Sequence, residues 1–110
     1  MYTKTELQQI GQTILQQMGG QGKLSAMISI NHIGVGINEA GNPYISFSFK
    51  GNPKITHCVI TLNKMDLYDL DFIHIHPRSF ERTVFKEVKD IYAENLKSTF
   101  ENTTELYLSL

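Results

Sequence analysis

The stretch from His57 to His76 constrains the fold most, because its apolar side chains recur at every second position on both sides of a short polar loop. The apolar positions of its two halves are Cys58, Ile60 and Leu62, then Tyr68, Leu70 and Phe72. Alternation with a period of two is typical of a half-buried strand. Residues 63–66 make a four-residue loop, a common length in hairpins. The stretch therefore predicts a β-hairpin.

The alternation changes phase after Phe72, where the apolar positions become Ile73 and Ile75. A one-residue bulge near Phe72–Ile73 would restore a single apolar face, since a bulge resets the alternation. The bulge would also bring four polar residues onto one solvent face: Asp69, Asp71, His74 and His76. Imidazoles and carboxylates are metal ligands, so these four are the candidate metal site. The set matches no named motif, so the preferred interpretation is the exposed polar side of a strand, with the metal site as the alternative.

Around the hairpin, the chain predicts helices and further strands. Thr3 and Glu6 form a capping-box pattern ahead of a helix from about Thr5 to Met18. Residues 23–30 are short and apolar; we expect a short helix, with a buried strand as the alternative. Alternating segments at 32–37 and 44–50 predict two strands, separated by a turn.

After Pro77 two interpretations remain. The preferred one has a fifth strand at Arg82–Lys86 and a helix that Asp90 caps and that ends near Thr103. The other has one long helix from near Ser79, because the apolar residues of this region also fit helical spacing. The predicted fold is α+β, a single domain over residues 1–110: an antiparallel four- or five-stranded meander with the N- and C-terminal helices on its apolar face. The predicted core is Ile45, Phe47, Cys58, Ile60, Leu62, Leu70, Phe72, Ile91, Leu96 and Phe100.

Charge and composition indicate the compartment of the protein and make some classes of partner less expected. The net charge of −1 provides no overall field toward nucleic acid or an anionic membrane. One cysteine permits no intrachain disulfide, and the polar N-terminus does not resemble a secretory leader. No apolar run approaches the length of a membrane span. These features predict a cytoplasmic protein that is not in a membrane.

The candidate nucleic-acid-binding residues are basic and close together in sequence: Arg78, Arg82, Lys86 and Lys89. They are four of the ten Lys and Arg residues of the chain, and together they could form a surface patch that binds phosphates. Acidic residues interrupt them, so the alternative is a mixed solvated surface. Cys58 shares a face with Ile60 and is interpreted as a small buried hydrophobe. The chain contains no serine-elbow, Walker or HExxH motif, so we expect neither an enzyme nor a cofactor.

The segments VITLNKMDLYDLDF (59–72) and DIYAENLKSTFENTTELYLSL (90–110) resemble a family of small uncharacterised proteins of bacteriophages and integrated mobile elements. The step at Met18-Gly19-Gly20 and the pair Ala26-Met27 are similar too. This chain departs from the family at Glu105, where the family usually has glycine, and at residues 74–77, where the family tends to be rich in Lys and Arg.

The resemblance implies a phage or mobile-element setting in a bacterial host cell. Small non-enzymatic proteins of that setting often bind a host or phage macromolecule. The expected function is therefore a non-catalytic accessory protein that acts by protein–protein binding, on a host or phage partner, with a host defence system as one target. Nucleic-acid binding by the basic residues at 78–89 is the alternative.

The segment Ile33–Ile37 comes first in the predicted meander and lies at a sheet edge, with no charge or proline to guard it. Unpaired edges offer N–H and C=O groups to another chain. We therefore expect a twofold dimer, formed by edge pairing or by packing across Gly34 and Gly36. The alternative is that Leu106–Leu110 pairs with this edge within one chain.

Overall fold

Five strands form one antiparallel sheet in the order β1-β2-β3-β4-β5, so each strand pairs with its neighbours in sequence. The computed structural model describes residues 2–108. Its elements are α1 (Lys4–Gln17), α2 (Gln21–Ile28), β1 (Asn31–Ile37), β2 (Pro43–Ser48), β3 (His57–Leu62), β4 (Tyr68–Ile75), β5 (Arg82–Ile91), a 3₁₀ turn (Ala93–Asn95) and α3 (Leu96–Thr104). The predicted α+β meander with helices packed against it is confirmed.

The N-terminal helix begins as its sequence predicts. The Glu6 N–H donates to Thr3 Oγ1 over 3.1 Å, and the Thr3 N–H donates to the Glu6 carboxylate over 2.8 Å, which completes the capping box. Gly11 lets α1 approach the sheet, because a Cβ there would lie 2.9 Å from Val35 Cγ1. The next segment, where the sequence predicts a short helix with a buried strand as the alternative, is helical and forms α2.

The core lies between the helices and one face of the sheet. Eight of the ten predicted core residues are buried, and Leu62 and Ile91 are partly buried against them. Phe100 of α3 holds the centre, with ring centroids 5.1 Å from Phe49, 6.2 Å from Phe47 and 5.9 Å from Phe72. The predicted core is thus confirmed, and residues of α1, α2 and the tail extend it: Ile14, Leu15, Met18, Leu24, Ile28 and Leu108.

The two faces of the sheet differ in character. Register partners share a face, so the buried pairs Phe47–Cys58 and Cys58–Phe72 define the helix-covered face. The other side, here called the open face, carries the pairs Ser46–Val59 and Val59–Asp71. Its residues are partly exposed along β2 and β3, as in antiparallel sheets that leave one side solvated.

Two expectations about the end of the chain were wrong. Strand β5 continues to Ile91 rather than ending at Lys86, and Asp90 lies in the strand and does not cap a helix. Asp90 has a φ of 57°, a left-handed conformation that Asp tolerates, and its N–H donates to Asp69 Oδ1 over 3.0 Å. The last helix begins instead at Leu96, after the 3₁₀ turn.

The bulge expected in β4 near Phe72–Ile73 lies in β5 instead. Residues 57–62 pair with residues 73–68 without interruption, so β4 is regular against β3. Between β4 and β5 the register passes from Phe72–Lys86 to Ile73–Val84, which leaves Phe85 as the extra residue. His74 therefore lies on the helix-covered face with Phe72, and Ile73 lies on the open face with Asp71.

The tail packs against the body of the protein. Leu108 is buried, and its N–H donates to Glu101 Oε2 over 2.8 Å. Residues 105–108 form no strand, so this part of the expected pairing between Leu106–Leu110 and β1 was wrong. Ser109 and Leu110 lie outside the described residues. Over residues 2–108, no helix is both long and apolar enough to cross a membrane.

Candidate binding surfaces

The four residues of the expected basic patch do not share one surface. Arg82 lies opposite Ile75 on the open face. Lys89 also points to the open face, because it directly follows Val88, which lies opposite Leu70 on the helix-covered face. Lys86 lies opposite Phe72 on the helix-covered face. Arg78 lies in the loop between β4 and β5, where its N–H donates to His76 Nδ1 over 3.2 Å.

Acidic groups accompany the two cations of the open face. Asp71 lies opposite Glu87, next to Arg82. Burial and then the Glu87 carboxylate raise the pKa of Asp71, while the charges of Arg82 and Lys89 act in the opposite direction. Signs of charge therefore alternate on this face, and it does not present the run of cations that tracks a phosphate backbone.

The expected metal ligands are divided between the two faces. Asp69 and Asp71 lie on the open face, opposite Thr61 and Val59, whereas His74 lies opposite Thr83 on the other side. His76 follows the strand, and its Nδ1 accepts hydrogen bonds from the loop. Among residues 2–108, no three His, Cys, Asp or Glu side chains are grouped closely enough to hold a metal ion.

Asp69 has a structural role at the irregular end of β5. Its Oδ1 accepts hydrogen bonds from the Asp90 N–H and from Asn63 Nδ2, over 3.0 Å each. Asn63 Nδ2 also donates to Asp90 Oδ1 over 2.9 Å. These bonds join the β3–β4 turn to the bulged end of β5.

Cys58 is fully buried within the core cluster, as its interpretation as a buried hydrophobe predicts. Burial raises the pKa of its thiol well above the ordinary value, and the nearby Asp71 charge adds to the rise. The thiol is therefore kept protonated, whereas reactive cysteines need a lowered pKa and an accessible position.

Exposed apolar side chains lie along the free edge of the sheet at β5. Val84 is 48 % exposed, Phe85 is 50 % exposed, and Tyr92, directly after the strand, is 58 % exposed. Val84 lies opposite Ile73 on the open face, whereas Phe85 lies with His74 and Thr83 on the other side of the sheet. We call these three residues along the edge, Val84, Phe85 and Tyr92, the β5 surface. The ten-residue strand pairs only with β4 among the described elements, so its other side has unpaired backbone groups. Charged neighbours, including Lys86 and Glu87, flank the apolar side chains.

The sequence did not separate this surface from the core. Val84 and Tyr92 fit the apolar stripe of a helix, and Phe85 stood outside that stripe. The adjacent pair Val84-Phe85 was the available signal, because two successive apolar residues in an edge strand cannot both face the core.

Comparison with protein-family models, curated proteins and solved structures finds no significant match for this chain.

Proposed function

We propose that this protein is a non-catalytic binding protein that acts by contact with another protein through the β5 surface. The observation that carries the proposal is the half-exposed pair Val84 and Phe85 near the start of an unpaired edge strand, one on each side of it. A strand added to this edge would contact both side chains, and apolar and aromatic side chains with charged residues around them are typical of protein interfaces.

The proposed occupant is an extended segment of the partner that adds to β5 as a sixth strand. Such a segment would pair with the free N–H and C=O groups of β5 and contact Phe85 with its side chains. The bulge at Phe85 and the charges of Lys86, Glu87 and Lys89 are devices that discourage unselective edge pairing. A partner must therefore match both the bend and the charges, which provides selectivity.

The proposed setting is a bacterial cell that carries a phage or mobile element, with a host or phage protein as the partner. The resemblance of residues 59–72 and 90–110 to small proteins of such elements supports this setting. Interference with a host defence system is the specific role that we propose to examine first, because it requires binding and no catalysis.

The experiment is affinity capture from host lysate with the full-length protein, followed by reconstitution with each captured protein in purified form. We expect Phe85→Glu and Val84→Glu to weaken the reconstituted complex at least about tenfold, since each places a charge in a desolvated contact. Met65→Glu is the matched control, because Met65 is 70 % exposed in the turn between β3 and β4.

Capture of a protein from lysate supports the proposal only if the purified protein also binds and if Phe85→Glu and Val84→Glu weaken that binding. Equal affinity for Phe85→Glu and the wild-type protein would contradict the assignment to the β5 surface.

A salt titration with short DNA and RNA tests the alternative function. Steep salt-dependent binding that Arg82→Ala weakens would favour nucleic-acid binding over the present proposal.

A further inference from the structure

Three of the four histidines converge on one cleft at the end of the sheet where β1 and β3 begin and β4 ends. The cleft has a volume of about 500 Å³, and His32, His57 and His76 line it. We call it the histidine cleft. Val84, Phe85 and Tyr92 are not among its lining residues.

Each ring is held through the same nitrogen. His57 Nδ1 lies 2.7 Å from Thr56 Oγ1, and His32 Nδ1 lies 2.9 Å from Ser48 Oγ. His76 Nδ1 accepts from the N–H groups of Arg78 and Ser79, over 3.2 Å and 3.3 Å. Because these bonds use Nδ1, the Nε2 side of each ring remains for a ligand.

The hydrogen bonds also assign the proton of His76. Its Nδ1 accepts from the backbone N–H groups of Arg78 and Ser79, so in the neutral ring the proton is on Nε2. His76 is therefore a hydrogen-bond donor toward a ligand even when uncharged. The Thr56 hydroxyl accepts from the Ile75 N–H and has two acceptors within reach of its one hydrogen, His57 Nδ1 at 2.7 Å and the Ile73 carbonyl oxygen at 3.4 Å.

Charge in the cleft favours an anion. Lys50 contributes an ammonium group, and the lining residues from the described part of the chain include no Asp or Glu. Burial lowers the pKa of His57 first, and the positive charges of His32, Arg82 and His74 lower it further. The same charges that oppose a cation at His57 attract an anion there.

Part of the remaining wall of the cleft is apolar and aromatic, beside polar residues that include Ser29 and Asn31. Ile75, Pro77 and Phe49 contribute to it, and the Phe80 ring is 76 % exposed at its rim. A ligand with an anionic end and a flat organic group would satisfy both halves, because planar rings stack on exposed aromatic side chains.

We propose that the histidine cleft binds a phosphate monoester carried on an aromatic group, of the size of a nucleoside monophosphate. The phosphate accepts hydrogen bonds from His76 and Lys50 and lies beside the His57 ring, and the base contacts Phe80. Hydrogen bonds from charged and imidazole donors to phosphate oxygens are of the strong, charge-assisted kind.

The test is a nuclear magnetic resonance titration of the full-length protein near neutral pH, with the imidazole resonances as the readout. The probes are adenosine monophosphate, inorganic phosphate and adenosine. We expect saturable shifts of the His57 and His76 signals with adenosine monophosphate, smaller or weaker ones with phosphate, and none with adenosine. Lys50→Gln should weaken binding about tenfold, the size expected for loss of one charge-assisted hydrogen bond. Lys4→Gln, an exposed change in α1, should leave it unaltered.

Phe80→Ala separates the two halves of the ligand, since it should weaken adenosine monophosphate binding and leave phosphate binding unchanged. Absence of any shift with both phosphate probes at about 10 mM would overturn the proposal, because such weak binding has no use at cellular concentrations. Equal shifts with adenosine and with adenosine monophosphate, or equal affinity of Lys50→Gln and Lys4→Gln, would overturn it as well. Both substituted lysines are exposed, so their variants are expected to fold.

Discussion

Leu106 lies directly against Gly51: a Cβ atom on Gly51 would be 2.8 Å from Leu106 Cδ2. The glycine also has a φ of 116°, which residues with a side chain rarely adopt. The contact joins the tail after α3 to the loop between β2 and β3. A second bond strengthens the same junction, since Asn52 Nδ2 donates to the Thr104 carbonyl oxygen over 2.9 Å.

Gly51→Ala should therefore lower the free energy of unfolding by about 2–4 kcal/mol, through backbone strain together with the clash. Gly41→Ala is the matched control, because Gly41 has a φ of 84° but open space around its Cα. Gly41→Ala should lower the free energy of unfolding through backbone strain alone. Chemical denaturation of both variants measures the difference, and Leu106→Ala should recover part of the loss in Gly51→Ala. Equal losses in the two glycine variants would show that the Leu106 contact contributes nothing.

Strands β2 and β3 and the first part of β4 were predictable because their alternation is uninterrupted. Residues 45, 47, 58, 60, 70 and 72 carry apolar side chains at a spacing of two, and the register of β2, β3 and β4 has no shift. Regular pairing preserves the period in the sequence, so the pattern alone identified both the strands and the core face.

Strand β5 was less predictable because bulges interrupt its alternation. Two register shifts against β4 add residues near Phe85 and near Lys89–Asp90, and each shift moves the following side chains to the other face. Val84, Val88 and Ile91 are then spaced by four and three, the same spacing as on a helix. The relative faces of Arg82, Lys86 and Lys89 depend on these shifts, so their separation onto two faces could not be derived from the sequence.

The aromatic cluster around Phe100 predicts large losses on truncation. Phe47 and Phe100 are both fully buried, and either one changed to alanine should cost about 3–5 kcal/mol of unfolding free energy through lost burial and a residual cavity. Tyr107→Ala is the control, since Tyr107 is exposed and its loss should cost less than about 0.5 kcal/mol. Urea denaturation of the three variants gives the comparison. A loss below about 1 kcal/mol for Phe100→Ala would contradict its central position.

The carboxyl group of Asp71 predicts a dependence of stability on pH. Its pKa in the folded protein is raised by burial and by Glu87, so the folded state binds its proton more tightly than the unfolded chain does. This group's contribution to stability is therefore present in acid and is lost as pH rises through the folded pKa. Asp71→Asn should unfold at higher denaturant concentration than the wild-type protein at pH 7, and the gain should shrink below the ordinary Asp pKa. A wild-type protein that is the more stable one at pH 7 would contradict this sign.

The other free edge, β1, predicts self-association. The Asn38 N–H donates to the Asn42 carbonyl oxygen, and because such bonds alternate along a ladder, Val35 and Ile37 direct their backbone groups away from β2. An antiparallel pair centred on Val35 would place Ile33 of one copy opposite Ile37 of the other. The residues of β1 carry no Asp, Glu, Lys or Arg to oppose this pairing.

Light scattering coupled to size exclusion should therefore give twice the 12.5 kDa mass of one chain, and Val35→Lys should reduce it to one. The alternative that the tail guards this edge is contradicted for residues 106–108, which form no strand. A chain that ends at Glu105 should therefore not associate more than the full chain does. A monomeric full chain would contradict pairing through β1.

Hydrogen exchange detects the proposed pairing of a partner with β5 at the backbone amides themselves. Once the captured partner is purified, amide exchange of the protein is followed alone and in the complex. We predict slower exchange within residues 82–91, because a sixth strand would bond the N–H groups that β5 now leaves unpaired. Slowing confined to β1 or to the open face, with residues 82–91 unchanged, would contradict pairing at β5.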